Sequence, residues 1–121
     1  MTENRIVRLF RKLDDAMSTL SEAHNGWEFQ KLPTPGRWQA THSGHVLAEV
    51  KVDILGDDDF KFTVYDQGAI RYKSSREYFT FTMPHSIIDA GDGTEETFLD
   101  THLIIALDDE HGLEHDSGHN H

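Results

Sequence analysis

The chain contains no cysteine. That removes disulfides, thiolate zinc sites and cysteine nucleophiles at once. It also fits a reducing compartment, and the reading is of a cytoplasmic protein. Long apolar runs are missing too. The longest, Leu103 to Leu107, is far short of the roughly 20 residues that span a bilayer. The first ten residues carry charges where a secretory leader needs an apolar stretch, so neither a leader nor a membrane association is expected. Positive charge is absent from the last third. All eleven Lys and Arg lie at or before Arg76, balanced there by eleven Asp and Glu, so the whole net charge of -11 falls on residues 77–121. Such a chain lacks the cations that a phosphate-tracking protein uses to release counterions, and no direct nucleic-acid binding is expected.

Catalytic signatures are equally scarce. There is no GxSxG elbow, no GxxxxGK[ST] phosphate loop, no GxGxxG and no HExxH. At 121 residues the chain is one domain by default, long enough to bury a core without staples.

Residues 4–23 carry Ile6, Leu9, Phe10, Leu13, Ala16, Met17 and Leu20 at helical spacing. They form one apolar stripe about 120° wide. Thr2 or Asn4 is suited to cap the start, and Asn25-Gly26 to end it. The charges on this helix oppose its dipole, because Arg5, Arg8, Arg11 and Lys12 crowd the positive end. Their expected counterpart is either the acidic C-terminal third of the chain or an external anionic partner.

After Gly26 the period falls to two. Strands are predicted around Trp27–Phe29, 37–41, 45–55, 60–64, 69–73 and 77–83, joined by short turns that make a meander of hairpins. In the clearest of them Val46, Ala48, Val50, Val52 and Ile54 share one face. Residues 85–97 read as a long acidic loop, and 98–107 as a last strand with both faces covered. The predicted fold is therefore α+β: an N-terminal amphipathic helix packed on a 5–7 stranded antiparallel meander sheet. Residues 1–108 form the domain, and 109–121 an acidic, His-rich, flexible tail.

Several residues could carry function. His111, His115, His119 and His121 have a spacing that can bind zinc or nickel adventitiously, and no resident cofactor is implied. His42 and His45 flank a predicted hairpin tip; with His85 and His102 they are the histidines open to acid–base work. The basic helix residues Arg5, Arg8, Arg11 and Lys12, together with Trp38, are the candidate binding surface. The calcium-like loop at Asp89–Glu96 and the Asp57-Asp58-Asp59 turn both miss the EF-hand spacing.

The functional reading is of a small, acidic, non-enzymatic binding protein acting through protein contacts. It would serve as regulator, chaperone-like adaptor or assembly subunit, viral or cellular, with a nucleic-acid-mimicking inhibitor as a variant. Homo-oligomerisation is compatible with this reading. The competing readings are a small hydrolase or isomerase with a His–carboxylate site and a divalent-metal-handling protein built on the tail. Histidines gathered in one pocket would favour the enzyme.

Overall fold

The computed structural model describes residues 4–23, 26–67 and 77–113. The first helix, α1 (Arg5–Ser21), starts where Asn4 Oδ1 accepts the Ile6 N–H at 2.8 Å. That bond satisfies one of the donors a helix start leaves open. Leu9, Leu13, Ala16, Met17 and Leu20 are buried along one face. Each large aliphatic among them contributes about 1.5–3 kcal/mol by leaving water. Ile6, at the overhanging first turn, stays 39% exposed.

Five strands follow: β1 (Trp27–Lys31), β2 (Arg37–His42), β3 (His45–Ile54), β4 (Phe60–Asp66) and β5 (Glu77–Met83). They pair antiparallel in chain order, and β2 and β3 are joined by a two-residue hairpin turn at Ser43-Gly44. The expected strand at 69–73 lies outside the described residues. The β1–β2 connection works because Gly36, at φ +77°, has no Cβ. A Cβ there would sit 2.8 Å from the Phe10 ring and 2.9 Å from the Val52 carbonyl.

Two bulges alter the simple alternation. Ala40 faces Ala48 while Thr41 faces Val46, which leaves Leu47 as an extra residue. Leu47, not Val46, therefore packs against the core; the expected inward place of Val46 is corrected by one inserted residue. Tyr78 is the extra residue of β5, between the pairs Val64–Phe79 and Tyr65–Glu77. Both bulges fall toward the same end of the sheet.

The chain after β5 departs from expectation. Residues 85–97 are not an extended loop, and 98–107 are not a strand. The segment forms α2 (His85–Ala90), α3 (Thr94–Leu99), a π-helical turn (Asp100–Ile104) and α4 (Ile105–Glu110). Asp59 Oδ1 accepts the His85 N–H at 3.1 Å and so caps α2 from another element. Asp92 Oδ1 accepts the Thr94 N–H at 3.0 Å at the start of α3, and Glu95 and Glu96 in its first turn suit the helix dipole. The run Leu103 to Leu107 fits a helix because its inward positions are Leu103, Ile104 and Leu107, in line with Leu99, while Ile105 and Ala106 are half-buried. Helix α4 runs through Asp108 to Glu110.

Helix α1 and the C-terminal helical segment share one core with the inner sheet face. That core includes Trp27, Phe29, Trp38, Val50, Phe60, Phe62, Val64 and Met83. The opposite face carries Glu28, Gln39, Lys51, Lys61 and Thr82, the pattern of an antiparallel sheet with one solvated side. Phe29 N–H, on the β1 edge, is taken up by Ser21 Oγ of α1 at 2.9 Å. The helix thereby blunts an edge that would otherwise invite strand addition. Among the described residues no helix is long and apolar enough to cross a membrane.

Candidate functional site

At the bulged end of the sheet all five strands and α4 contribute to one cluster. Trp27, at the start of β1, is 1% exposed. Its indole Nε1 donates to Asp108 Oδ1 of α4 at 2.8 Å. Asp108 is itself 1% exposed, and a buried carboxylate needs such donors to offset its desolvation. The His42 ring of β2 packs edge-on against Trp27, with centroids 5.0 Å apart. On α4, His111 lies 5.8 Å from Trp27 and 5.2 Å, edge-on, from Tyr78. Its ring nitrogens reach the main-chain oxygens of Leu107 and of the β3 bulge residue Leu47. Tyr78 donates its hydroxyl to Asp66 at the end of β4 at 2.8 Å.

Beside this cluster opens a cleft of about 590 Å³ lined by Ser21, Glu22, Trp27, Glu28, Thr41 and Ser43, with Gly26 and Gly44 at its rim. Gly26, at φ +88°, lets the chain enter β1 against the His42 ring; a Cβ would fall 2.7 Å from His42 Nε2. A second depression of about 440 Å³ shares Ser21, Glu22, Glu28 and Thr41 and continues along β1 to Phe29 and Gln30. The two form a trough whose described lining residues carry two carboxylates, three hydroxyls and no lysine or arginine. Its size lies within the range of ligand-binding clefts, about 300–1,000 Å³.

The histidines singled out from sequence do not gather. His42 and His45 are cross-strand partners at the β2–β3 hairpin, as expected. His42 Nδ1 lies 3.3 Å from Ser43 Oγ, and His45 is exposed. His85 sits elsewhere, its Nδ1 3.2 Å from Asp59 Oδ1. The His85 main-chain N–H and then its ring hold the Asp59 carboxyl below its ordinary range. His102 lies in the π turn, tilted against Phe98 at 4.2 Å and stacked on Phe81 at 5.8 Å. None of His42, His45, His85 and His102 is among the described residues that line the cleft.

The basic helix end has internal partners. Arg5 pairs with Asp58 at 3.0 Å and Lys12 with Asp89 at 2.8 Å. The Lys12 hydrogen bond, with the fields of Lys12, His85 and Arg8 behind it, holds the Asp89 carboxyl low. Asp89 belongs to the acidic C-terminal third, so that part of the chain does answer the helix charges. Arg8 and Arg11 are exposed on the same helix. Trp38 is corrected as a surface residue: it is 2% exposed in the core, because β2 alternation turns it toward α1. Among the proposed metal ligands, His111 is turned onto two carbonyls; His115, His119 and His121 lie outside the described residues. Among the described residues no three His, Asp or Glu side chains come together to hold a metal.

Sequence reasoning missed Trp27, Asp108, Tyr78 and Asp66 as one cluster. The acid directly after the apolar run, Asp108, first of three in a row, was the available signal. Comparison with protein families, curated proteins and solved structures finds no match, so the site is read from its own chemistry.

Proposed function

We propose that the chain is a small, non-enzymatic binding protein that takes a basic segment of a protein partner into the cleft between α1 and β1. The carrying observation is the lining: Glu22 and Glu28 face a concave site with Ser21, Thr41 and Ser43, and none of the described lining residues is a lysine or arginine. Carboxylates at a low-dielectric wall concentrate positive potential-seeking groups, and the chain's net charge of -11 adds long-range attraction. The hydroxyls supply hydrogen-bond partners that orient a lysine or guanidinium head. The dispersal of His42, His45, His85 and His102 over three parts of the fold weighs for binding over acid–base catalysis, which needs them within hydrogen-bond reach of one another. The docking of His111 on carbonyls weighs against a metal site assembled on that residue.

The test is titration with a short Arg/Lys-rich peptide, followed by amide NMR shifts. Shifts are expected at Glu22, Glu28, Thr41 and Ser43, weakening as salt rises from about 0.1 M to about 1 M and the Debye length falls from about 10 Å to about 3 Å. The paired change Glu22→Gln, Glu28→Gln is expected to weaken binding about fivefold, since exposed ion pairs are worth about 0.2–1 kcal/mol each. Shifts confined to other surfaces, or binding indifferent to both substitutions, refute the reading.

A further inference from the structure

The hydrogen-bond stoichiometry of His111 goes beyond the cleft and does not depend on what occupies it. Nδ1 lies 3.0 Å from the Leu107 oxygen, and Nε2 lies 3.1 Å from the Leu47 oxygen. Both partners are main-chain carbonyls, which accept and never donate. A neutral imidazole has one N–H and one bare lone pair. In either neutral tautomer a lone pair would therefore face a carbonyl oxygen. Only the imidazolium donates to both.

The surroundings fix the ring in this position. Leu107 is one turn earlier on α4, and its oxygen also accepts the His111 main-chain N–H at 3.1 Å. Leu47 is the extra residue of the β3 bulge, and Tyr78, edge-on to the ring, is the extra residue of the β5 bulge. Two separate irregularities in the sheet thus converge on one side chain. Charged and titratable groups among the described residues come from several elements. From α4 comes Asp108, buried, with exposed Asp109 and Glu110 on the same helix. From β4 comes Asp66, which accepts the Tyr78 hydroxyl. From β2 comes His42, on Trp27.

We propose that His111 is a proton-operated latch that fastens the C-terminal end of α4 across the sheet when it carries both ring protons and loosens it when one is lost. Docking takes up a proton, so raising the pH opposes it by linkage. The docking equilibrium falls by up to about tenfold per pH unit over the range in which the proton leaves. Because α4 also presents Asp108 to Trp27, one of the residues that line the cleft, loosening removes a support from the cleft wall. A partner that needs a firm wall is then held at acidic pH and released at alkaline pH.

The test uses the full chain with no ligand added. Ring-nitrogen NMR reports the protonation of His111, and the Trp27 indole N–H resonance, assigned with Trp38→Phe, reports docking. At the acid end of a pH series both His111 nitrogens should be protonated, and the Trp27 signal should move together with the loss of the second ring proton. His111→Gln, whose amide donates from one end only, should abolish that movement, and His42→Gln should leave it. One bare ring nitrogen at the acidic pH overturns the latch, as does a Trp27 signal that stays still in the native chain. So does movement that survives His111→Gln or vanishes in His42→Gln. If His111→Gln fails to fold, the ring-nitrogen measurement on the native chain decides alone.

Discussion

Replacing Trp27 by Phe tests whether α4 is tied to β1 by a buried, charge-assisted bond. The indole Nε1 donates to Asp108 Oδ1 at 2.8 Å, and both residues are 1% exposed. A hydrogen bond to a charged group contributes about 1.5–3 kcal/mol net. Phe keeps most of the ring but has no donor, so the buried carboxylate loses a partner and water cannot easily replace it. The loss of ring volume adds a separate packing cost. Trp38→Phe estimates that cost, because Trp38 is similarly buried and makes no bond to Asp108. At this chain length about 1 kcal/mol corresponds to about 4 °C in Tm. Trp27→Phe is therefore expected to melt about 6–12 °C below Trp38→Phe by circular dichroism. A double-mutant cycle of Trp27→Phe with Asp108→Ala, followed by urea unfolding, isolates the pair from the other contacts of each residue. A coupling of about 1.5 kcal/mol or more is expected. A coupling near zero would show that the two groups do not support each other and that packing alone holds α4.

Val50→Asp is expected to unfold the domain. Val50 is 0% exposed at the centre of the sheet, and an unpaired buried carboxylate costs several kcal/mol against a typical stability of about 5–15 kcal/mol; an unchanged circular dichroism spectrum and Tm would refute this. Asp59 gives a pH prediction. Its carboxyl is held low by the His85 main-chain N–H and ring, so the folded state keeps it ionised more readily than the unfolded chain does. That contribution is present above the unfolded value of about 3.9 and is lost as pH falls through the lower folded value. Asp59→Asn should flatten the acid side of the stability curve below about pH 4, and an acid limb as steep as the native one would refute the assignment.

Local patterns determined much of this protein. Helix α1 follows from its 3.6-residue stripe and from Asn4 as cap. Period-two alternation marks the segments that become β1 to β5, since it needs no knowledge of distant residues. Tertiary contacts decided the rest. The run Leu103 to Leu107 is apolar at every position, so its period is silent, and only packing beside Leu99 and under the sheet selects the helix. The exchange of Leu47 for Val46 depends on one bulge, which pairing with β2 creates. The segment after Asp108 has a polar composition, yet His111 binds a carbonyl 64 residues away and Asp108 an indole 81 residues away. Such bonds have no sequence period. They arise because folding brings the bulged end of the sheet and the end of α4 together, where water is excluded and a carboxylate or carbonyl must find its donor within the chain.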